Sequence, residues 1–385
     1  MIRPPSTSVA RSVASRLPPL LLAAASALVA AGCAGLRGPD VPEPGAAPET
    51  RPEPETPTRW YWAYVANAES DVVSRVRYGP EGAASEKTVN VGVMPNATDR
   101  PLAVRVSPDG RHWYVTTSPG TRVGRLFRYE TGTDRLLGSV RLGSSPGAVD
   151  LTPDGGEAWV ADPGTGGGSG APALAVVHVR TDSLREVARV AACASPGGSR
   201  VARSGDRAYV TCGDSDLLVE IDAAERTVVG EVGLEAGAGS CGPGAVETGD
   251  GRLWVACENS GEVLELDAGT LRVRRHLPAG GAPAALAVTP EGSLLLAANR
   301  GDGTLSVVHL GSGREVARLE TSRPAPRGIA VSDDSRYAFV ANASGGARRS
   351  TVDLFDLVAL ERVAEVEVEH GAAGVAFWRS RGVDR

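Results

Sequence analysis

Residues 101–117 read Pro101-Leu102-Ala103-Val104-Arg105-Val106-Ser107-Pro108-Asp109-Gly110-Arg111-His112-Trp113-Tyr114-Val115-Thr116-Thr117. A short apolar run, a tight turn and a second apolar run follow one another. Proline pre-sets the turn angle and glycine accepts a backbone conformation that other residues resist, so the stretch predicts two antiparallel strands. The second strand ends in an aromatic residue, a valine and two small or polar residues.

That ending recurs. It appears as Tyr64-Val65-Ala66-Asn67, Trp159-Val160-Ala161-Asp162, Tyr209-Val210-Thr211-Cys212, Trp254-Val255-Ala256-Cys257, Leu296-Ala297-Ala298-Asn299 and Phe339-Val340-Ala341-Asn342. With Tyr114 included, the first positions are 64, 114, 159, 209, 254, 296 and 339, and they lie 42 to 50 residues apart. The turn recurs as Thr152-Pro153-Asp154-Gly155 and, degraded, as Thr289-Pro290-Glu291-Gly292 and Ser332-Asp333-Asp334-Ser335. Two further strands follow each ending, as in Leu217–Asp222 and then Thr227–Val232. A period of this length holding four short strands is the signature of a β-propeller blade, which buries its faces only against its neighbours. The 48 glycines and 27 prolines fit many turns and short strands better than long helices.

The ends predict closure. The chain enters the pattern in a second strand near Tyr61, and its last run, Gly371-Ala372-Ala373-Gly374-Val375-Ala376-Phe377, matches an inner strand with nothing after it. The final strand is therefore expected to complete the first blade. The fold class is all-β: a seven-bladed propeller of four-stranded antiparallel blades over 60–378, followed by a tail at 379–385. On these motifs the chain resembles the YVTN family of β-propellers, whose naming motif Tyr64–Asn67 and Phe339–Asn342 approximate and whose Ser-Pro-Asp-Gly turn is kept at Ser107–Gly110. The resemblance implies a fold and leaves function open, since related propellers include surface proteins, binders of protein or nucleic acid, and enzyme domains.

The first 32 residues predict an export signal. Arg3, Arg11 and Arg16 precede an apolar run from Leu17 to Ala31 that is too short for an ordinary membrane span. The run ends Leu28-Val29-Ala30-Ala31-Gly32-Cys33, which resembles the lipobox of bacterial lipoproteins. That resemblance implies lipidation of Cys33, and Ala34 after it implies sorting to an outer membrane, facing periplasm or cell surface. The alternative is a simple secretory signal. Residues 33–59, rich in proline and glutamate, predict a disordered tether, with a bound terminal arm as the alternative. Removing residues 1–32 takes away three arginines and no acids, so the formal charge moves from −6 to about −9. That balance argues against nucleic acid as a partner.

In an exported chain the four remaining cysteines can oxidise. Cys193 and Cys241 precede inner strands, while Cys212 and Cys257 end second strands, so Cys193–Cys212 and Cys241–Cys257 are the expected pairs. The Cys-x-x-Cys spacing of a thiolate metal site is absent, as is the Cys-x-x-Cys-His of covalent haem.

No catalytic motif stands out. His112, His178, His276, His309 and His370 form no close pair, and only His370, just before the closing strand, is a candidate for the axial channel. Arg105, Asp150, Arg200 and Glu247 fall in inner strands, where charges either neutralise one another or hold a divalent cation or small ligand. No other cofactor is expected. Asn67, Asp162, Glu258, Asn259, Asn299, Arg300, Asp302 and Asn342 fall just after the second strands and are candidates for a recognition face, lengthened by the glycine-rich loop 164–170. The expected function is an envelope lipoprotein whose propeller binds a protein or peptide. The alternatives are a metal-assisted lactonase or lyase in the channel, and a structural surface protein.

Overall fold

The computed structural model describes residues 51–92, 98–119, 122–164, 172–180, 183–237 and 239–382. The signal segment, Cys33, most of the expected tether, residues 165–170 of the glycine-rich loop and residues 383–385 lie outside the described residues.

Seven four-stranded antiparallel sheets follow one another along the chain. Blades two to seven each run outward in chain order. Their inner strands are Pro101–Val106, Val149–Leu151, Pro196–Val201, Pro243–Gly249, Pro283–Val288 and Ala325–Val331. The first blade is built from both ends of the chain. Gly82–Asn90, Val72–Gly79 and Arg59–Asn67 form its outer three strands, and Ala372–Gly382 pairs with Arg59–Asn67 as the inner one. The closing strand runs through Gly382, so the expected tail at 379–385 is strand over its first four residues: Arg379, Ser380 and Arg381 pair with Trp62, Tyr61 and Trp60.

Alternating side chains pack between blades. Trp159, Leu174 and Val176 of the third blade share one buried cluster with Val210, Val219 and Ile221 of the fourth. Between the first two blades Tyr64 stacks on Trp113 with centroids 5.0 Å apart, and Trp113 on Tyr129 at 4.1 Å. The buried carboxylate of Asp134 then accepts hydrogen bonds from Tyr64 Oη at 2.8 Å and Trp113 Nε1 at 3.2 Å and pairs with Arg75. Lys87, the chain's one lysine, ends 2.9 Å from it. Around the axis the inner strands meet backbone to backbone. A Cβ on Gly328 would lie 2.2 Å from the carbonyl oxygen of Ala373, and one on Gly198 would lie 2.5 Å from that of Gly244. Only glycine admits that approach.

The turns explain why an aspartate recurs in them. Asp109 accepts from Ser107 Oγ and from the Arg111 amide, and Asp154 and Asp334 repeat this with Thr152 and Ser332. Those carboxylates close turns.

Of the expected tether, residues 51–58 are described ahead of the first strand. Residues 51–58 lie against the ring: Arg51 donates to the Val316 carbonyl at 3.0 Å, Arg336 pairs with Glu55 at 3.7 Å, and Pro57 is buried. The charges of Arg51 and Glu55 find partners on the sixth and seventh blades.

Candidate functional site

One position of each inner strand lies directly opposite the first signature residue of its own blade, an aromatic in every blade but the sixth, where it is Leu296. In blades two to five it is occupied by Arg105, Asp150, Arg200 and Glu247, facing Tyr114, Trp159, Tyr209 and Trp254. In blades six, seven and one it is Ala287, Ala330 and Ala376. Charge of alternating sign therefore lines one side of the channel, and methyl groups line the other.

The four charges are paired unequally. Arg200 holds Glu247 through Nε and a terminal nitrogen at 3.1 Å. Glu247 also takes the Thr248 amide, and Asp150 takes the Val201 amide at 2.9 Å. Arg105 uses only Nε, which donates to the Val149 carbonyl at 3.1 Å and lies 3.3 Å from Asp150 Oδ1. Its terminal nitrogens make no hydrogen bond among the described residues. Burial pulls the Arg105 guanidinium below its ordinary pKa and Arg200 adds to that, with Asp150 and Glu247 opposing. For Arg200 burial acts the same way, but Glu247 and Asp150 outweigh it and the pKa is raised.

This layer divides the channel into two chambers. The chamber toward the Ser-Pro-Asp-Gly turns, about 450 Å³, is bounded by all four charged residues and, across from them, by Ile329, Val331 and Phe377. Arg203 sits exposed at its rim with no ion-pair partner among the described residues. The second chamber, about 340 Å³, opens toward the loops that follow the second strands. About half of its lining is glycine and alanine, including Gly197, Gly198, Gly244, Ala284 and Gly374, and Arg105 and Arg200 border it from the charged layer. Glu258 leans over its mouth; a Cβ on Gly244 would lie 2.5 Å from Glu258 Oε1. Arg300 donates to Glu258 at 2.7 Å, and Arg327 lines the same mouth without an ion pair among the described residues. Burial raises the Glu258 carboxyl above its ordinary pKa, and Arg300 and Arg327 oppose it.

Several expected site residues lie elsewhere. Asn67, Asp162, Asn299 and Asn342 are fully buried rather than displayed on the loop face. Asn67 Nδ2 donates to Ser74 Oγ, Asn299 Nδ2 to Ser306 Oγ, and Asn342 Nδ2 to Thr351 Oγ1, each on the next strand of its blade. Asp162 accepts the Ser145 amide and pairs with Arg189. Polar residues at these positions close the blade. Glu258, Asn259, Arg300 and Asp302 do stand at the loop face, with Asn259 donating to Ser240 Oγ and Asp302 accepting the Gly281 amide. His370 does not line either chamber: its amide donates to Ser70 Oγ, and its Nε2 lies 3.4 Å from the Ala347 carbonyl, at the junction of the seventh and first blades.

Among the described residues no three histidine, cysteine, aspartate or glutamate side chains converge as a metal ligand set. Asp150 pairs with Arg105 and Glu247 with Arg200. The cysteines pair as expected, Cys193 with Cys212 and Cys241 with Cys257, which suits an oxidising, exported compartment. No helix among the described residues is long and apolar enough to cross a membrane.

No protein-family model and no curated protein sequence matches the chain. Solved structures do match its fold. A periplasmic gluconolactonase of Pseudomonas aeruginosa is 21% identical over 83% of this chain and 99% of its own, with a TM-score of 0.65. The hydrazine synthase of Kuenenia stuttgartiensis is 19% identical over 74% and 93%, with a TM-score of 0.61. A functionally unknown protein from Desulfotomaculum acetoxidans is 13% identical over 83% and 99%, with a TM-score of 0.66. At these identities the likeness is one of fold.

Proposed function

We propose that this chain is a YVTN-type, lipid-anchored envelope protein, tethered through Cys33, whose propeller binds a protein or peptide at the loop-side mouth of its channel. The observation that carries the reading is Arg327: an exposed guanidinium without an ion pair among the described residues, beside the Glu258–Arg300 pair, above a chamber lined about half by glycine and alanine. Small side chains leave room for an entering side chain or chain end, and the unlike charges at the rim supply orientation. The test is site-specific photo-cross-linking in cells, with a photoreactive residue in place of Arg327, Arg300 or the outer-strand Val229. An adduct from the two mouth positions and none from Val229 is expected. Adducts from Val229 alone, or from all three equally, overturn the choice of face.

A second reading draws support from the gluconolactonase of similar fold. Asp150 and Glu247 would then act on a lactone within the channel. Purified protein should open gluconolactone and lose that activity as Asp150→Asn or Glu247→Gln. The ion pairs that both carboxylates already make with Arg105 and Arg200 favour the binding role.

A further inference from the structure

The turn-side chamber has a chemistry that a protein-binding mouth on the opposite side does not use. Its charged wall carries three guanidinium groups, from Arg105, Arg200 and Arg203, against the two carboxylates of Asp150 and Glu247. The surplus positive charge is not spread evenly. Arg200 is satisfied by Glu247, whereas Arg105 spends Nε on a carbonyl and a carboxylate, and its terminal nitrogens make no hydrogen bond among the described residues. The Arg105 side chain is 25% exposed, so an entering anion can reach the terminal nitrogens and take the acceptor places they leave open. Across from it, among the described residues, the lining is apolar: Ile329, Val331 and Phe377 with Leu286, Ala330 and Ala376. An inorganic anion would leave that wall wet, and a neutral apolar molecule would give the Arg105 terminal nitrogens no acceptor.

We propose that the turn-side chamber binds a small monocarboxylate with an apolar body, its carboxylate on the Arg105 guanidinium and its body against Ile329, Val331 and Phe377. The planar fork of the guanidinium matches the two oxygens of a carboxylate, and such charge-assisted pairs are the stronger class of hydrogen bond. The size of the chamber, about 450 Å³, suits a compact ligand. The proposal does not rest on the protein-partner reading: Arg105 and Ile329 border both chambers, but Val331, Phe377 and Arg203 line the turn-side chamber and Arg327 and Glu258 the loop-side one.

Calorimetric titration of the full exported chain tests it with phenylacetate and octanoate as probes. Phenylacetamide serves as the uncharged isostere, and acetate as the anion without a body. At least one of the two probes should bind saturably, one per chain. Phenylacetamide and acetate should each bind at least about tenfold more weakly, the factor expected when a charged partner or the apolar contact is removed. Arg105→Gln should lose affinity for the carboxylate by a similar factor, and Arg105→Lys should retain part of it. The wild-type comparison of acid with amide stands even if the variants fail to fold. No saturable binding of either probe up to roughly 10 mM, a range that detects even weak sites, overturns the proposal. So does equal binding of phenylacetamide or acetate, or unchanged affinity in a folded Arg105→Gln protein.

Discussion

Thr211 Oγ1 donates to the carbonyl of Gly244, the corresponding inner strand of the next blade, at 2.6 Å. The same oxygen accepts the amide of Gly198 in its own blade at 2.8 Å, where the pairing of Pro196–Val201 is interrupted by a bulge. Thr116 does the same between the Ala103 amide and the Gly147 carbonyl. One buried hydroxyl thus repairs the ladder within a blade and fastens that blade to its neighbour.

Thr211→Val keeps the shape and removes both bonds. It should lower unfolding free energy by about 1 kcal/mol, because it removes the partner of a part-buried amide and a part-buried carbonyl. Thr211→Ser should recover most of the loss. Urea denaturation of the three proteins measures this, and a valine variant as stable as the parent would mean that the bulge relaxes to satisfy itself.

The two disulfides hold the fourth and fifth blades, whose inner strands carry Gly197, Gly198 and Gly244 where side chains would otherwise pack. Their sequence separations are 19 and 16 residues. Loops of that length imply about 3 kcal/mol from each cross-link by the unfolded-chain argument. Cys193→Ala with Cys212→Ala, or Cys241→Ala with Cys257→Ala, should each lower the melting temperature. Added reductant should then lower it further in both variants, since each retains one bond. A variant pair indifferent to reductant would show that the remaining bridge adds nothing.

The seam between the seventh and first blades should be acid-sensitive at Asp334. Burial raises its carboxyl pKa, but hydrogen bonds from Ser332, Tyr61 and the Arg336 amide, together with the Arg59 charge, outweigh burial and hold it below the ordinary value of 3.8. A depressed folded pKa gives stability that is present above the unfolded value and lost as pH falls through the folded one. Asp334→Asn should therefore be less stable than the parent near neutrality, and the gap should narrow as pH drops from about 5 toward 3. Melting temperatures of both proteins across that range decide it; a constant gap would assign the acid loss to other carboxylates.

The architecture was legible because it is written in a period. The signature aromatics and the turns recur at blade spacing, and the unmatched strands at the two ends implied that the last strand joins the first blade. The recognition face was less legible. Asn67, Asn299 and Asn342 end their strands in polar residues that read as loop, yet each amide is spent on a hydroxyl of the following strand. A signal existed: Ser74 and Ser306 each stand seven residues after their asparagine, the offset that brings a residue of the next strand to its side. Arg327 was missed because one arginine after a proline says nothing alone. Aligned with its counterparts Leu102, Gly197, Gly244 and Ala284, each likewise following a proline at the start of its inner strand, it is the one charged residue among these five. The channel layer could be placed from sequence, but its unequal pairing could not, because it depends on which carboxylate each guanidinium reaches.

Closure by the last strand gives the most severe test of the ring. Ala372, Val375 and Ala376 of Ala372–Gly382 are buried, and the strand lies backbone to backbone with both neighbours: Ala373 against Gly328 on one side and Gly374 against Leu102 on the other. Removing residues 370–385 would expose the whole inner edge of Arg59–Asn67 and strip two blade interfaces at once. Because each blade is stable only against its neighbours, the damage should spread beyond the first blade. The truncated protein should lose the single cooperative unfolding transition or fail to accumulate. A synthetic peptide of residues 370–385, supplied during refolding, should restore the transition, since the missing element is one strand with its partners intact. Recovery would be read by circular dichroism and thermal melting. A truncated chain that still unfolds in one transition at the parental temperature would mean that six complete blades carry the ring without the clasp.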